Sequence, residues 1–279
     1  MEGRFILHIP LSIVIPVKNE AGNLPACLES VGDFSDVVVV DSNSTDATRD
    51  VAQNFQRKVI DFAWDGKFPK KRNWTLRNYK LQNPWVLFLD ADERMTPEVK
   101  SELARTLPHT QHHAFWIGYR TWFMGRLLKH GDPMRKMALL RVGHGEYEEI
   151  LEDNWSALDM EIHEHLVVDG SVGVLAGKLE HHDTRDLYAY YARHNEYSTW
   201  EANRYLALPD RANLTGRQRV KYCMLTWPIF PLVYFFVSYI LKLGFLDGRA
   251  GFYFALGKMF YFYQIQAKIN QLQLNVEAP

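Results

Sequence analysis

Residues 11–20 read LSIVIPVKNE, an almost unbroken apolar run that ends abruptly in polar side chains. The pattern returns twice, as VVVVDSNSTD over residues 37–46 and as WVLFLDADE over residues 85–93. Continuous, β-branched apolar runs of this length predict parallel strands covered on both faces. Helical segments fall between them. One begins at Leu24-Pro25 with Asn23 as its cap, and a second runs from Thr45-Asp46 to about Phe55. A third extends from Lys70 to Tyr79, and a fourth follows Thr96 as cap and Pro97 at the first helical position, reaching Leu107. This alternation predicts an α/β, Rossmann-like, mostly parallel sheet flanked by helices, with right-handed crossovers.

Beyond it, residues 112–182 carry shorter mixed runs that read as strands and loops extending the sheet, and residues 186–206 are helical by period. The last third changes character. Aromatic residues crowd into residues 222–263 far above their 14% share of the chain. The stretch 222–241 is uncharged and just long enough to span a bilayer, yet Pro228 and Pro231 break it. Its Tyr and Trp residues suit interfaces, so it and a second aromatic helix over 251–269 read as amphipathic helices lying in a membrane interface. Arg217, Arg219 and Lys221 precede the stretch and are placed to meet anionic headgroups. The expected organisation is one catalytic domain over 1–210 and a membrane-associating helical region over 211–279. The domain comprises a nucleotide-binding half at about 11–107 and an acceptor half at about 108–210.

The 279 residues are long enough for a large buried core. A net charge of −1 supplies no global field for nucleic acid, so none is expected as a partner. Two cysteines, Cys27 and Cys223, cannot build a disulfide framework or a cysteine zinc site, which suits a reducing compartment. The apolar N-terminal run is interrupted by His8, Pro10 and Ser12 and reads as a strand rather than a signal peptide.

Three strand ends carry the chemistry: Pro16-Val17-Lys18-Asn19-Glu20, Asp41-Ser42-Asn43-Ser44-Thr45-Asp46 and Asp90-Ala91-Asp92-Glu93. Open α/β sheets bind ligands beyond the carboxyl ends of their strands, so these ends point to one crevice. Neither a dinucleotide fingerprint nor a P-loop occurs. Asp90 and Asp92, two apart in an extended run, are expected to share a face and to suit Mg²⁺ or Mn²⁺ completed by substrate phosphates. Lys70-Lys71-Arg72 opens a helix where cations oppose the dipole, and a bound pyrophosphate would reverse that penalty.

The runs LSIVIPVKNEAGNL, VVVVDSNSTDAT, KKRNWTL and WVLFLDADE resemble the family 2 inverting glycosyltransferases of GT-A fold. Together with IHEHLVVDG and KLGFLDGRAGFYFA, they resemble in particular the bacterial lipopolysaccharide-core glucosyltransferase-like branch. The resemblance implies that Pro16, Asn19 and Glu20 line a nucleoside pocket and that Asp41 contacts base or ribose. It places Lys71 and Arg72 near the diphosphate. Asp90 would meet the ribose or the metal's water shell, Asp92 would ligate the metal, and His181 in LEHHD would be a further ligand or diphosphate contact. Ser42 stands where family members often carry a second acid. An inverting transfer needs one general base; Glu161, Glu164, Asp153 and Asp169 are candidates, and the resemblance favours Glu164 in IHEHL. The histidines His163, His165, His181 and His182 lack the H-E-x-x-H pattern and cysteine company of a zinc site.

The expected function is therefore metal-assisted transfer of one hexose from a nucleotide-diphospho sugar, UDP-linked by expectation, to a lipid-linked or cell-envelope glycan. The expected place is the cytoplasmic face of the inner membrane, held peripherally or monotopically. Two rivals remain: a sugar-phosphate nucleotidyltransferase, which normally carries a Gly-rich basic signature that Lys18-Asn19-Glu20-Ala21-Gly22 does not supply, and a glycan-binding scaffold with an inactive transferase core.

Overall fold

The apolar runs are strands, and their side chains alternate between two cores. In the computed structural model, which describes residues 9–150, 152, 158–161, 165–208 and 216–277, the first strands are β1 (Leu11–Val17), β2 (Asp36–Asp41), β3 (Lys58–Asp61) and β4 (Trp85–Phe88). β2 and β4 flank β1, and all three run parallel. Every residue of these three strands is buried. Ile13, Ile15, Val17, Val37, Val39 and Leu87 face one side, against Leu24, Cys27 and Leu28 of α1 (Leu24–Ser30) and Val99 and Leu103 of α4 (Pro97–Thr106). Val14, Val38, Val40, Val86 and Phe88 face the other, against Phe62 and against Trp74 and Leu76 of α3 (Lys71–Asn78). This is the period of two that a doubly covered strand demands. Each fully buried Val, Ile or Leu contributes about 1.5–3 kcal/mol, so two-sided burial outweighs intrinsic strand preference here.

The α4 start follows expectation: the Thr96 side chain accepts from Val99 N and Pro97 sits in the first turn. Helix α2 (Thr48–Asn54) begins later than the expected Thr45-Asp46. The reason is local, because Thr45 N donates to Asn19 Oδ1 at 2.8 Å and is taken up outside the helix. β3 was not expected at all. Its KVID is four residues long and half exposed at the sheet edge beside β2, so it lacks the apolar signal of the buried strands.

The sheet continues through β5 (Glu93–Arg94), β6 (Ala114–Phe123), β8 (Arg135–Arg141) and β11 (Val172–His181), in the order β3-β2-β1-β4-β8-β6-β11-β5. β7 (Arg126–Leu128) lies between β6 and β8 in the chain. β9 (Gly145–Tyr147) and β10 (Leu166–Val168) form a separate antiparallel pair. β8 is antiparallel to both β4 and β6, so the expected mostly parallel sheet becomes mixed past β4.

Contacts divide the chain into two units. Of the described residues, the first holds those within 9–122, 133–152 and 158–184, and the second those within 123–132, 185–208 and 216–277. The second is helical: α5 (Leu187–Ala207), α6 (Gly216–Met224), α7 (Phe230–Phe236) and α8 (Gly248–Glu277). α5 thus belongs with the C-terminal helices, although its sequence position is within the stretch expected to be catalytic. Its start is capped by Asp186, which accepts from Ala189 N at 2.9 Å. Ala202, Tyr222, Leu225, Phe230, Ile265 and Ile269 form the core of this unit. The chain between α6 and α7 breaks at Pro228, and a π-helical turn, Val237–Leu241, prolongs α7. Among the described residues no single helix is long and apolar enough to cross a membrane; one pair, Phe230–Leu241 with Gly244–Leu274, qualifies jointly but bends by 72°.

Candidate active site

Two loops at the carboxyl ends of β1 and β2 are laced together by side chains. Asn19 adopts φ +56°, a left-handed conformation that asparagine tolerates better than most residues, and its amide oxygen receives Thr45 N. Asn19 N donates to Ser44 Oγ at 2.9 Å, and Glu20 N donates to Thr48 Oγ1 at 2.8 Å. Asp41 is wholly buried at the end of β2. Its carboxylate accepts from Ser44 N at 3.2 Å and meets Arg49 Nη1 at 3.1 Å, so it organises the turn as well as closing the strand. Pro16 lies opposite Val40 in β1, beyond the last pair that β1 makes with β4. Pro16, Asn19, Glu20 and Asp41 are therefore gathered at one edge.

Asp90 and Asp92 part company. The chain leaves strand geometry after Phe88 and turns, with Glu93 N donating to Asp90 O at 2.9 Å. The expectation that both carboxylates share a face rested on an extended chain and does not survive that turn. Asp90 accepts from Arg72 Nη2 at 2.7 Å and from Lys136 Nζ at 2.6 Å, while Lys136 also reaches Glu93 Oε1 at 2.8 Å. Burial pushes the Asp90 carboxyl up, but Lys136 and Arg72 overcome it and hold the group well below the ordinary carboxylate range. Glu93 shifts the other way, raised by burial and by Asp90 and Asp92 against the pull of Lys136. The sequence gives no sign of Lys136. It arrives because β8 runs antiparallel beside β4 with Leu139 opposite Leu87, which carries residue 136 past the end of β4.

Asp92 meets His181 instead, with Oδ2 at 3.5 Å from Nε2. The β5–β11 pairing sets His181 opposite Glu93, and His182 N donates to Asp92 O at 2.8 Å. His181 Nδ1 is buried and has no hydrogen-bond partner. Among the described residues no three His, Cys, Asp or Glu side chains converge on one point. Asp92 and His181 could supply two of the six ligands of Mg²⁺ or Mn²⁺, whose remaining positions phosphate oxygens and water usually fill. Asp90, also expected near the metal, is engaged here by Arg72 and Lys136.

The cations at the start of α3 are buried and matched by acids of the same chain. Lys71 Nζ donates to Val17 O at 3.0 Å and stands 3.5 Å from Asp159 Oδ2; burial lowers its pKa against the pull of Asp159. Lys70 pairs with Glu152. Glu161 caps the helix: its carboxylate accepts from Arg72 N at 2.8 Å and Asn73 N at 2.9 Å. A buried carboxylate thus caps the helix start, because buried cations and free helix amides need compensation within the fold. Glu161, one of the candidate bases, is thus held by two helix amides. Asp169 is exposed at the β10–β11 turn. Glu164, His163 and Asp153 lie outside the described residues.

Residues 12–160 match the sequence profile of glycosyl transferase family 2. The chain is also similar to the lipopolysaccharide core biosynthesis glycosyltransferase LpsC of Rhizobium meliloti (strain 1021), at 27% identity over 95% of this chain and 94% of that protein. An uncharacterized glycosyltransferase of Rickettsia felis is 36% identical over 33% of this chain and 32% of its own length. Among solved structures, S. aureus TarS in complex with UDP-GlcNAc gives a TM-score of 0.41 at 16% identity, covering 95% of this chain and 92% of that one. Since the profile spans more than half of the residues and includes all three acidic strand ends, the chain belongs to glycosyl transferase family 2 and is a glycosyltransferase of GT-A type.

Proposed function

We propose that this glycosyltransferase moves one hexose, with inversion, from a UDP-linked sugar to a lipid-linked or cell-envelope glycan of the lipopolysaccharide-core type. The observation that carries the donor site is the gathering of Asn19, Glu20 and Asp41 beside Asp90 and the Asp92–His181 pair at the ends of parallel strands. The acceptor class follows LpsC, similar over almost the whole chain, whose name assigns it to lipopolysaccharide core biosynthesis.

The chain's own residues divide the work. Asn19 and Asp41 hold the two loops in one shape, so the nucleoside meets a preorganised wall. Lys136 and Arg72 hold Asp90 ionised, ready to accept hydrogen bonds from a ribose hydroxyl. Asp92 and His181 would hold a divalent cation, which when bound neutralises charge developing on the departing nucleoside diphosphate. Glu164 is the base we assign to take the proton from the acceptor hydroxyl as its oxygen attacks the anomeric carbon. The exposed apolar side chains of the helical unit, among them Ile229, Leu232 and Phe236, support a position on the cytoplasmic face of the inner membrane, where such acceptors are displayed.

Calorimetric titration of UDP, with GDP and dTDP as controls, with and without Mn²⁺, tests the donor site on wild type, Asp92→Ala and Glu164→Gln. Metal-dependent UDP binding that Asp92→Ala abolishes and Glu164→Gln retains, with turnover lost in both, is the expected result. Preference for GDP or dTDP changes the donor, and absence of all nucleotide binding leaves the glycan-binding scaffold as the better reading.

A further inference from the structure

The turn between Leu241 and Gly244 carries a leucine where neither backbone nor solvent favours one. Leu243 has φ +59° and ψ +25°, a left-handed conformation suited to glycine or asparagine, and its side chain is 45% exposed. It is not alone. Leu241 is 63%, Phe245 42% and Leu246 55% exposed along the same bend. All four stay well exposed in the folded unit, although Phe245 meets the Tyr239 ring edge-on.

The bend is firmly built. Gly131 N donates to Lys242 O at 2.8 Å. Asp247 Oδ2 accepts from Lys129 N at 3.0 Å and His130 N at 2.9 Å, pinning residues 126–131 beside the bend. A side chain at Gly251 would come within 2.1 Å of Gly244 O, so the turn closes backbone to backbone. The pinned segment and the start of α8 also supply charge. Arg126, Lys129 and Arg249 are exposed, and their side chains have no acidic partner among the described residues. Arg126 Nη1 would lie 3.2 Å from a Cβ at Gly248, which places this cation against the bend itself. By contrast, Lys221 of α6, one of the cations first expected to face headgroups, is 2.7 Å from the Glu201 carboxylate and already compensated.

We propose that the bend over residues 241–246, rimmed by Arg126, Lys129 and Arg249, is the surface that docks on the anionic headgroup layer of a phospholipid bilayer. This deepens the membrane reading above and rests on it. The leucines and Phe245 enter between headgroups, and the three cations meet lipid phosphates. The two helices that flank the bend, Phe230–Leu241 and Gly244–Leu274, meet at 72°, which presents the bend itself to the headgroup layer.

Co-sedimentation of the full chain with vesicles of phosphatidylcholine alone, and of phosphatidylcholine mixed with phosphatidylglycerol, tests it. The variants are Leu243→Asn and the triple change Arg126→Gln, Lys129→Gln, Arg249→Gln, with far-UV circular dichroism and melting temperature as folding controls. Wild type is expected to prefer the anionic vesicles. The triple variant should weaken that binding about fivefold per cation, on the order of a hundredfold in all. Leu243→Asn should weaken it about tenfold while the protein melts no lower than wild type, since the backbone strain is relieved. A purely structural leucine would move the melting temperature and not the binding. If wild type binds and both variants bind equally well, the bend is not the docking surface, though the membrane reading stands through another face. If wild type binds neither vesicle, both fall. A dimer in sedimentation velocity that these variants dissociate would give the surface to a second copy and overturn the lipid assignment.

Discussion

Lys136 is the residue on which the crevice charge balance turns, and Lys136→Met tests that directly. The ammonium lies 2.6 Å from Asp90 and 2.8 Å from Glu93, whose side chains are 28% and 3% exposed. At an effective dielectric of about 20, each contact carries about 6 kcal/mol of gross attraction, most of it offset by desolvation. Removing one partner of a buried pair costs about 3–5 kcal/mol, and the partial exposure of Lys136 and Asp90 favours the low end, about 3 kcal/mol. For a chain of this size that corresponds to a melting temperature lower by roughly 6–9 °C. The loss should depend on pH with a definite sign. Glu93 is already raised above its unfolded value, and losing the ammonium raises it further. A carboxyl raised in the folded state contributes stability below its unfolded pKa and loses it as pH rises through the folded pKa. The deficit of Lys136→Met is therefore largest at pH 8 and shrinks toward pH 5, and adding Glu93→Gln should recover about half of it at pH 8. Scanning calorimetry across this range on the single and double variants is the assay. A melting temperature within about 1 °C of wild type at pH 8, or a deficit that neither pH nor Glu93→Gln relieves, would refute the coupling.

Two further outcomes are expected. Burial and the nearby Lys258 push the His194 imidazole down to about 4, so between pH 6.5 and 4 the unfolded chain takes up a proton that the folded chain refuses. Stability should fall by on the order of 3 kcal/mol across that window; His194→Phe should flatten the fall in melting temperature, and an unchanged pH profile would show that the histidine is not coupled to folding. Glu161→Gln leaves one of the two α3 amides facing a donor, at about 1–3 kcal/mol, so the urea midpoint should drop, whereas an unmoved midpoint would show that the carboxylate does not carry the helix cap.

The local polymer chemistry of the strands was legible without tertiary structure. Four valines in succession, or LSIVIPV, leave a β-strand buried on both faces as the simplest solution, and the acids that follow such strands fall at a ligand-binding edge. The cap of α4 was legible for the same reason, because Thr96-Pro97 acts within one turn. What the residues do to one another was not. Lys136 reaches Asp90 across 46 positions and Glu161 reaches Arg72 across 89, distances over which no periodicity extends. The D-x-D spacing misled because a single turn after Phe88 sends Asp90 to cations and Asp92 to a histidine. Side-chain type and a period of two were enough to mark β1, β2 and β4 as buried strands and to show that acids follow β2 and β4. Which charge neutralises which is set by the folded chain alone, because antiparallel pairing of β8 with β4 and of β11 with β5 brings remote residues within 4 Å and burial then compels each charge to find a partner.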